Sequence, residues 1–324
     1  MASDPLDALL TVLPEDPDAA RRLSAGVGDW DTLLAGASRE GVDGVLLWHA
    51  LRGELELPPH LREAAERELA VRRLSQQPVH ACLDDALAAL ETSGVRALAL
   101  KGPALAERLY PEPSLRRSAD VDLLVASADL DPALAALEAA GFRVSESVPP
   151  ASERASPRCR RGSVELLRPN SPALELHFRL FVGFGALLRA EDFLERSIPH
   201  TTSRGRATRV LAPDDELLYL AVHAAGHGFE RLIWLYDMKL LVRRGVDPGV
   251  VAKRAREAGL ARAYAFSVET LARRLDCNVP GTPSFRSVRS SLARAILRIE
   301  RRFEERSRGA LWTRKLYRAV LSDC

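Results

Sequence analysis

Residues 97–125 read ALALKGPALAERLYPEPSLRRSADVDLLV, and they decide the fold of this chain. Asp120 and Asp122 stand one residue apart, directly before an apolar run. Because alternate side chains of a β-strand point to the same side, both carboxylates project from one face, and Val121 points to the opposite face, where a core would lie. Two neighbouring anions repel each other unless a cation neutralises them. Mg²⁺ suits this arrangement, since it commonly combines one or two carboxylates with phosphate oxygens. We therefore predict a strand that carries a metal site for phosphate chemistry.

The context of the Asp-x-Asp spacing matters, because the spacing alone is not specific and also occurs in solvated turns. An apolar segment before it ends at Lys101-Gly102, and a basic pair, Arg116-Arg117, lies between the two. Lys101 is one of only four lysines in a chain whose cations are otherwise arginine. A compact ammonium suits a contact with phosphate, so this lysine supports the metal interpretation.

The bulk composition is typical of a soluble globular protein, with 47% hydrophobic and 28% charged residues among 324. This length corresponds to two or three domains at about 100–150 residues each. No apolar run reaches the ~18 residues that a membrane-spanning helix needs, and the first residues lack the pattern of a signal peptide. We expect a cytoplasmic protein with no membrane association.

Net charge and cysteine spacing argue against two further classes. A net charge of +2 and only 6% aromatic residues do not fit a nucleic-acid-binding surface, which needs a basic stripe interleaved with aromatic side chains. No Cys-x-x-Cys pair occurs, which argues against a zinc cluster and gives no disulfide framework. The four widely spaced cysteines are Cys82, Cys159, Cys277 and Cys324.

The apolar pattern divides the chain into three regions, at 1–93, 94–205 and 206–324. The first and last have helical spacing, and the middle region has short apolar runs bounded by glycine and proline. This predicts an α+β fold with N-terminal and C-terminal helical regions. The predicted elements are a helix beginning at Pro213, helices at 60–75, 77–92, 102–110, 131–140, 232–244, 248–258, 260–275 and 285–320, and strands at 95–100, 121–125, 142–144, 163–167 and 173–180.

The last two strands are predicted to form a hairpin, because a short Arg-Pro-Asn-Ser-Pro segment joins them. Alternation places Glu175 and His177 on one face of the second strand. Glu175 is then a candidate third carboxylate, with a solvated edge-strand residue as the alternative. His177 is either a partner of the site or a surface residue. The polar segment at 146–161 is predicted to be a loop, and whether it closes over a substrate stays open.

A longer pattern surrounds these residues. The block Leu100-Lys-Gly…Leu109-Tyr-Pro…Arg116…Asp120-Val-Asp-Leu-Leu-Val125, followed by Leu174-Glu-Leu-His-Phe178, resembles an uncharacterised branch of the nucleotidyltransferase superfamily. That branch is distantly similar to DNA polymerase β and to the aminoglycoside nucleotidyltransferases. The resemblance covers most of residues 95–240. It implies a small mixed β-sheet core, flanked by helices, in which carboxylates hold two Mg²⁺ ions over a nucleoside triphosphate.

The resemblance also implies roles for individual carboxylates. Asp120 and Asp122 match the metal-binding pair, with Asp120 bridging both ions. Glu175 matches the third carboxylate, where the superfamily more often has Asp; it would lie near the acceptor and take the acceptor proton. His177 would contact these ligands, and Arg116 would neutralise phosphate charge, with a solvated loop residue as the alternative for Arg116.

The turn before the pair departs from the superfamily pattern. Many relatives have Gly-Ser there, whereas this chain has Lys101-Gly102-Pro103. Gly102 still permits close approach of the backbone to phosphate, but Pro103 has no N–H to donate. Lys101 is therefore the candidate residue for holding the phosphates.

Two histidines lie four residues apart on a predicted helix, at His223 and His227. This is the spacing of helical zinc ligands, but the intervening Ala-Ala-Gly lacks the glutamate of a zinc protease motif. We expect a role in packing or facing the substrate, with metal binding as the alternative.

The sequence predicts a Mg²⁺-dependent nucleotidyltransferase that moves a nucleoside monophosphate from a nucleoside triphosphate to a hydroxyl or phosphate acceptor. The acceptor is left open among a small molecule, a peptide and a protein. One alternative is phosphoryl or diphosphoryl transfer on the same site, since the same ions serve attack at another phosphorus. The altered turn also allows a non-catalytic nucleotide-binding regulator or an antitoxin-like protein.

Overall fold

The computed structural model describes residues 4–145, 147–154, 161–184, 188–279, 292–293, 295–296 and 316–322. Within these ranges the fold is α+β, as predicted, with one mixed sheet and helices packed on both of its faces. The predicted helix at 285–320 lies almost wholly outside the described residues.

The described strands are β1 (Ala97–Ala99), β2 (Asp120–Val125), β3 (Arg143–Val144), β4 (Ser163–Leu167), β5 (Ala173–His177), β6 (Ile198–Thr201) and β7 (Ala207–Val210). They form a single sheet in the order β3-β4-β5-β2-β1-β7-β6. β2 runs parallel to β5, and β1 runs parallel to β7. The remaining neighbours are antiparallel, so the sheet is mixed.

The described helices are α1 (Pro5–Val12), α2 (Pro17–Ala25), α3 (Trp30–Glu40), α4 (Asp43–Leu51), α5 (Pro59–Thr92), α6 (Pro103–Leu109), α7 (Leu130–Ala139), α8 (Ala151–Arg154), α9 (Ala190–Arg196), α10 (Pro213–Gly226), α11 (Leu232–Arg243), α12 (Pro248–Glu257) and α13 (Ala261–Leu275). Aspartates begin several of them. Asp4, Asp16 and Asp29 each accept a backbone N–H of the first turn of α1, α2 and α3, which satisfies a donor that the helix itself leaves free.

The two faces of the sheet belong to different apolar clusters. Val121, Leu123 and Leu176 pack with α7 and the second half of α5. Leu98 and Leu124 point to the other face and join the cluster of α1–α4 and α10–α13. The side chains of β2 therefore alternate between the two clusters. Asp120 and Asp122 lie on the same face of the strand as Leu124.

The prediction of two helices at 60–75 and 77–92 is wrong, because α5 is one helix with Pro78 inside it. Proline removes the hydrogen bond to the carbonyl four residues earlier. That carbonyl belongs to Leu74, a residue that is 65% exposed, so water can reach this side of the helix. Burial of Leu69 on one side of the proline and Leu83 on the other holds both halves in place. Tertiary packing thus outweighs the local break.

Other parts of the fold also differ from the prediction. β5 ends at His177 rather than at residue 180, because Phe178 and Arg179 both donate their N–H to the carbonyl of Gly162 and leave the regular ladder. The helical turn α8 lies inside the predicted loop at 146–161. The β6–β7 hairpin was not predicted at all; it is a short edge of the sheet whose strand residues, except the buried Val210, are exposed or half-buried.

A buried carboxylate attaches this hairpin to the rest of the molecule. Glu107 of α6 accepts hydrogen bonds from His80 of α5 and His200 of β6, each at 2.9 Å, and from the backbone N–H of Ser203. Burial raises the pKa of Glu107, but these donors outweigh it and hold that pKa well below its usual range. The cluster fixes α6, which directly follows the Lys101-Gly102 turn.

The two helical regions share one apolar cluster. The Lys239 ammonium of α11 donates to the carbonyls of Leu10, Thr11 and Leu13 at the end of α1, and pairs with Glu15. Its cation therefore satisfies carbonyls that the helix leaves free. The boundaries at 1–93, 94–205 and 206–324 remain predictions.

The described cysteines, Cys82 and Cys277, are buried free thiols. Among the described helices, none combines the length and the apolar character that crossing a membrane requires.

Candidate active site

Parallel pairing of β2 with β5 brings the predicted carboxylates together. Asp122 lies directly opposite Glu175, and Leu124 lies opposite His177. Asp120, Asp122, Glu175 and His177 all project to the same side of the sheet, as the alternation predicts. The structure thus joins the Asp-x-Asp strand and the strand of the third carboxylate, which the sequence placed separately.

Asp122 is the centre of the cluster. It is 1% exposed, its Oδ1 lies 3.1 Å from His177 Nε2, and its Oδ2 lies 2.6 Å from Lys101 Nζ. Burial alone would raise the pKa of Asp122, but the Lys101 and His177 charges outweigh burial and hold that pKa far below its usual range. Asp122 is therefore an anion at any physiological pH.

Glu175 and His177 complete this side of the site. His177 Nε2 lies 3.4 Å from Glu175 Oε2, and the Ser163 hydroxyl donates to Glu175 Oε1 at 2.6 Å. Hydrogen bonding to His177 holds the pKa of Glu175 below its usual range, although burial opposes it. Burial also lowers the pKa of His177, but its two carboxylate partners outweigh this and raise it to about 9.

Asp120 lies at the mouth of the site, with 44% of its side chain exposed. Its closest cation is Lys101, whose Nζ lies 3.9 Å from Oδ2. Partial burial raises the pKa of Asp120, and Lys101 only partly offsets the rise. Asp120 and Asp122 therefore differ in their surroundings, although one residue separates them.

The Lys101-Gly102 turn places an ammonium group beside Asp120 and Asp122. Gly102 has φ +64° and ψ −131°, which is a conformation open to glycine and costly for other residues. This conformation directs the chain into α6, while Lys101 stays against the two aspartates. Burial lowers the pKa of Lys101, but Asp122 and Asp120 raise it by more, so the ammonium stays charged.

The buried Arg116 side chain pairs with Asp237 rather than with the carboxylate cluster. Its Nε lies 3.0 Å from both oxygens of Asp237, and its Nη1 donates to Ser118. Tyr110 donates to the same aspartate at 2.6 Å. The structure thus shows Arg116 anchoring the loop that leads to Asp120, and its contact with phosphate stays a prediction.

A cavity of about 390 Å³ opens beside Glu175 and His177. Tyr219 and His223 of α10, and His227 directly after that helix, also line it. The ring centroids of His223 and His227 are 4.6 Å apart, and that of Trp234 is 5.1 Å from His223. Burial holds the pKa of His223 well below its usual range, so its imidazole is neutral. This lining is consistent with the expected packing or substrate-facing role.

Two contributors to the site were not predicted. Ser163 pairs opposite His177 in the β4–β5 ladder, so the predicted hairpin register could have found it. Tyr219 comes from α10, and burial together with the charges of Asp122 and Glu175 raises its pKa well above the usual range. No local signal in the sequence identifies it.

A larger cavity, of about 630 Å³, lies among α1, α2 and α3, away from the carboxylates.

The residues present fit a divalent ion. In the described part of the chain, one set of three acidic or imidazole ligands has its donor atoms within 4.8 Å of one another: Asp122, Glu175 and His177. Asp122 is buried, and its Oδ2 is paired with the Lys101 ammonium, so Oδ1, which faces His177, is the oxygen left for an ion. Buried carboxylate oxygens of this kind are ligands that Mg²⁺ and Mn²⁺ prefer.

Comparison with known proteins agrees with this geometry. No curated protein matches the chain at a significant level. A family model described as "Uncharacterised nucleotidyltransferase" matches residues 27–276, which include the sheet, the carboxylate cluster and the flanking helices. This match spans well over half of the 324 residues, and the chain therefore belongs to that family of uncharacterised nucleotidyltransferases.

Proposed function

We propose that this protein transfers a nucleoside monophosphate from a nucleoside triphosphate to a hydroxyl or phosphate acceptor, with divalent ions held by Asp120, Asp122 and Glu175. The observation that carries the proposal is the β2–β5 register, which aligns Asp122 with Glu175 and faces Asp120 toward the same side. Family membership supports the reaction class.

Divalent ions bound here would screen the triphosphate from the carboxylates and stabilise the charge that develops on the attacking and leaving oxygens. Asp122, buried and anionic, provides the fixed ligand, and Asp120 at the mouth can adjust to an incoming phosphate. Lys101 would pair with phosphate oxygens once they reach the site. Pro103 offers no N–H there, so the ammonium replaces a backbone donor.

The acceptor oxygen would attack the α-phosphorus, and the bond from the α-phosphorus to the bridging oxygen would break to release pyrophosphate. Glu175 faces the cavity and is ionised, so it can take the acceptor proton. A cavity of about 390 Å³ fits a small molecule or a single side chain of a peptide or protein.

Calorimetric titration of nucleoside triphosphates tests the proposal. Wild type should bind at least one of ATP, GTP, CTP and UTP in the presence of Mg²⁺ or Mn²⁺. The double variant Asp120→Asn/Asp122→Asn should lose that binding. The matched control is Asp18→Asn, on an exposed turn of α2. Equal binding by wild type and the double variant would overturn the site.

Product analysis by ³¹P NMR separates the reaction types, with candidate acceptors added to the protein. Pyrophosphate indicates nucleotidyl transfer, a nucleoside diphosphate indicates phosphoryl transfer, and a nucleoside monophosphate indicates diphosphoryl transfer. Binding that is independent of divalent ions and of Asp120 would instead favour a regulator.

A further inference from the structure

The carboxylate cluster contains a nitrogen donor at a position where a ligand is expected. His177 Nε2 lies 3.1 Å from Asp122 Oδ1 and 3.4 Å from Glu175 Oε2. Neighbouring ligand atoms of an octahedral ion, each about 2.1 Å from the metal, lie about 3 Å apart. The two separations from Nε2 are therefore close to those of adjacent ligands on one ion, and the three residues have ligand atoms within 4.8 Å of one another.

Lys101 determines which oxygen of Asp122 faces that ion. Its ammonium lies 2.6 Å from Oδ2, on the side of Asp120. Oδ1 is the oxygen that contacts His177, which in turn lies beside Glu175. An ion on Oδ1 therefore avoids the ammonium, and it approaches Glu175 and His177 directly.

His177 Nε2 carries the proton that it shares with the two carboxylates, so an ion binds this nitrogen only by displacing that proton to solvent. The Ser163 hydroxyl donates to Oε1 of Glu175, so Oε2 is the Glu175 oxygen that faces the His177 imidazole. The cavity beside His177 gives an ion and its water ligands a route to the site. His223 of α10 and His227 directly after it also line that cavity, and in the described chain they do not join a three-ligand group.

We propose that His177 Nε2 is a direct ligand of one divalent ion, together with Asp122 Oδ1 and Glu175 Oε2, and that this nitrogen makes the site prefer Mn²⁺ to Mg²⁺. The proposal rests on the proposed function, which places a divalent ion at these carboxylates. Carboxylate and water ligands suit both ions. Mg²⁺ is a hard cation that takes oxygen ligands, whereas divalent first-row metals, of which Mn²⁺ binds most weakly, also accept nitrogen ligands. A site of two carboxylates and one imidazole therefore selects against Mg²⁺ relative to a site of three carboxylates.

Electron paramagnetic resonance of Mn²⁺ tests this on the full chain without nucleotide. Wild type should bind Mn²⁺, and its spin-echo modulation should show coupling to a ¹⁴N nucleus. His177→Gln should lose that coupling and bind Mn²⁺ about tenfold more weakly or worse, while Mg²⁺, measured by competition, changes much less. Circular dichroism establishes that the variant is folded, and His60→Gln, at an exposed position of α5, is the matched control.

The outcomes separate this inference from the proposed function. Mn²⁺ binding without ¹⁴N coupling in wild type would overturn the role of His177 and leave the carboxylate site intact. Coupling that persists in a folded His177→Gln variant would overturn it equally. Coupling that depends on His177, in a protein that binds no nucleoside triphosphate, would support the ligand and contradict the proposed function.

Discussion

Lys101 Nζ lies 2.6 Å from Asp122 Oδ2, so a buried ammonium is paired with the most buried carboxylate of the site. Lys101→Met leaves Asp122 beside two other carboxylates with less neutralising charge. Removal of one partner from a buried pair costs about 3–5 kcal/mol. We expect a large loss of unfolding free energy without metal and a partial recovery in Mn²⁺, measured by urea denaturation.

The matched control for this change is Lys253→Met. Lys253 has 71% of its side chain exposed and pairs with Glu257 on the surface of α12, where such pairs contribute little. Stability of Lys101→Met equal to that of this control would show that the buried pair is not what stabilises the metal-free site.

Gly102 should not tolerate a side chain. Its φ of +64° is strained for other residues, although a Cβ there would meet nothing closer than 3.4 Å. Gly102→Ala should cost about 1–3 kcal/mol of unfolding free energy through backbone strain, and it should weaken nucleotide binding by shifting Lys101. Thermal denaturation and calorimetry measure the two effects.

Gly28→Ala provides the comparison for Gly102, because that glycine has no left-handed φ and a Cβ there meets nothing within 4 Å. If the two variants had the same stability and the same affinity for nucleotide, the conformation of the Lys101-Gly102 turn would not matter to the site.

Arg116 and Asp237 should contribute to the free energy of unfolding as a coupled pair. Arg116→Met and Asp237→Asn each break the same buried pair, and each should cost about 3–5 kcal/mol. The double variant should cost little more than either single change. If nucleotide affinity falls equally in both single variants, Arg116 acts by anchoring its loop. A further loss that is confined to Arg116→Met would demonstrate contact with phosphate.

Glu107 should make stability depend on pH. Its donors hold the pKa of Glu107 below the unfolded value, so its stabilisation is complete above about pH 4.5 and is lost as the pH falls through the lower folded pKa. At pH 7, Glu107→Gln should cost about 2 kcal/mol, because it leaves buried donors poorly paired. The difference between wild type and variant in urea unfolding should shrink from pH 6 to pH 3. A difference that stays constant would contradict this role.

The sequence predicted the parts of the site that depend on local pattern. Alternation around Asp120 and Asp122 indicated which face carries the carboxylates, and the alternation in β5 placed Glu175 and His177 together. Those patterns depend on strand geometry alone, and the β2–β5 pairing agrees with them. The α+β class followed from the change in apolar period at residue 94.

Relationships between distant segments could not be predicted in this way. Arg116 and Asp237 are 121 positions apart in the chain, and no pattern near either residue identifies the other. Tyr219 reaches the site because α10 lines the cavity beside Glu175 and His177. The continuity of α5 through Pro78 depends on packing at both of its ends, and a local rule for proline gives the opposite answer.

Diffraction at the manganese absorption edge, from crystals grown with Mn²⁺ and a non-hydrolysable ATP analogue, tests the central claim most directly. We predict an anomalous peak in contact with Asp122 and Glu175, with the triphosphate beside it and Lys101 on a phosphate oxygen. A triphosphate bound elsewhere, such as in the cavity among α1, α2 and α3, with no metal at these carboxylates, would contradict the proposed active site.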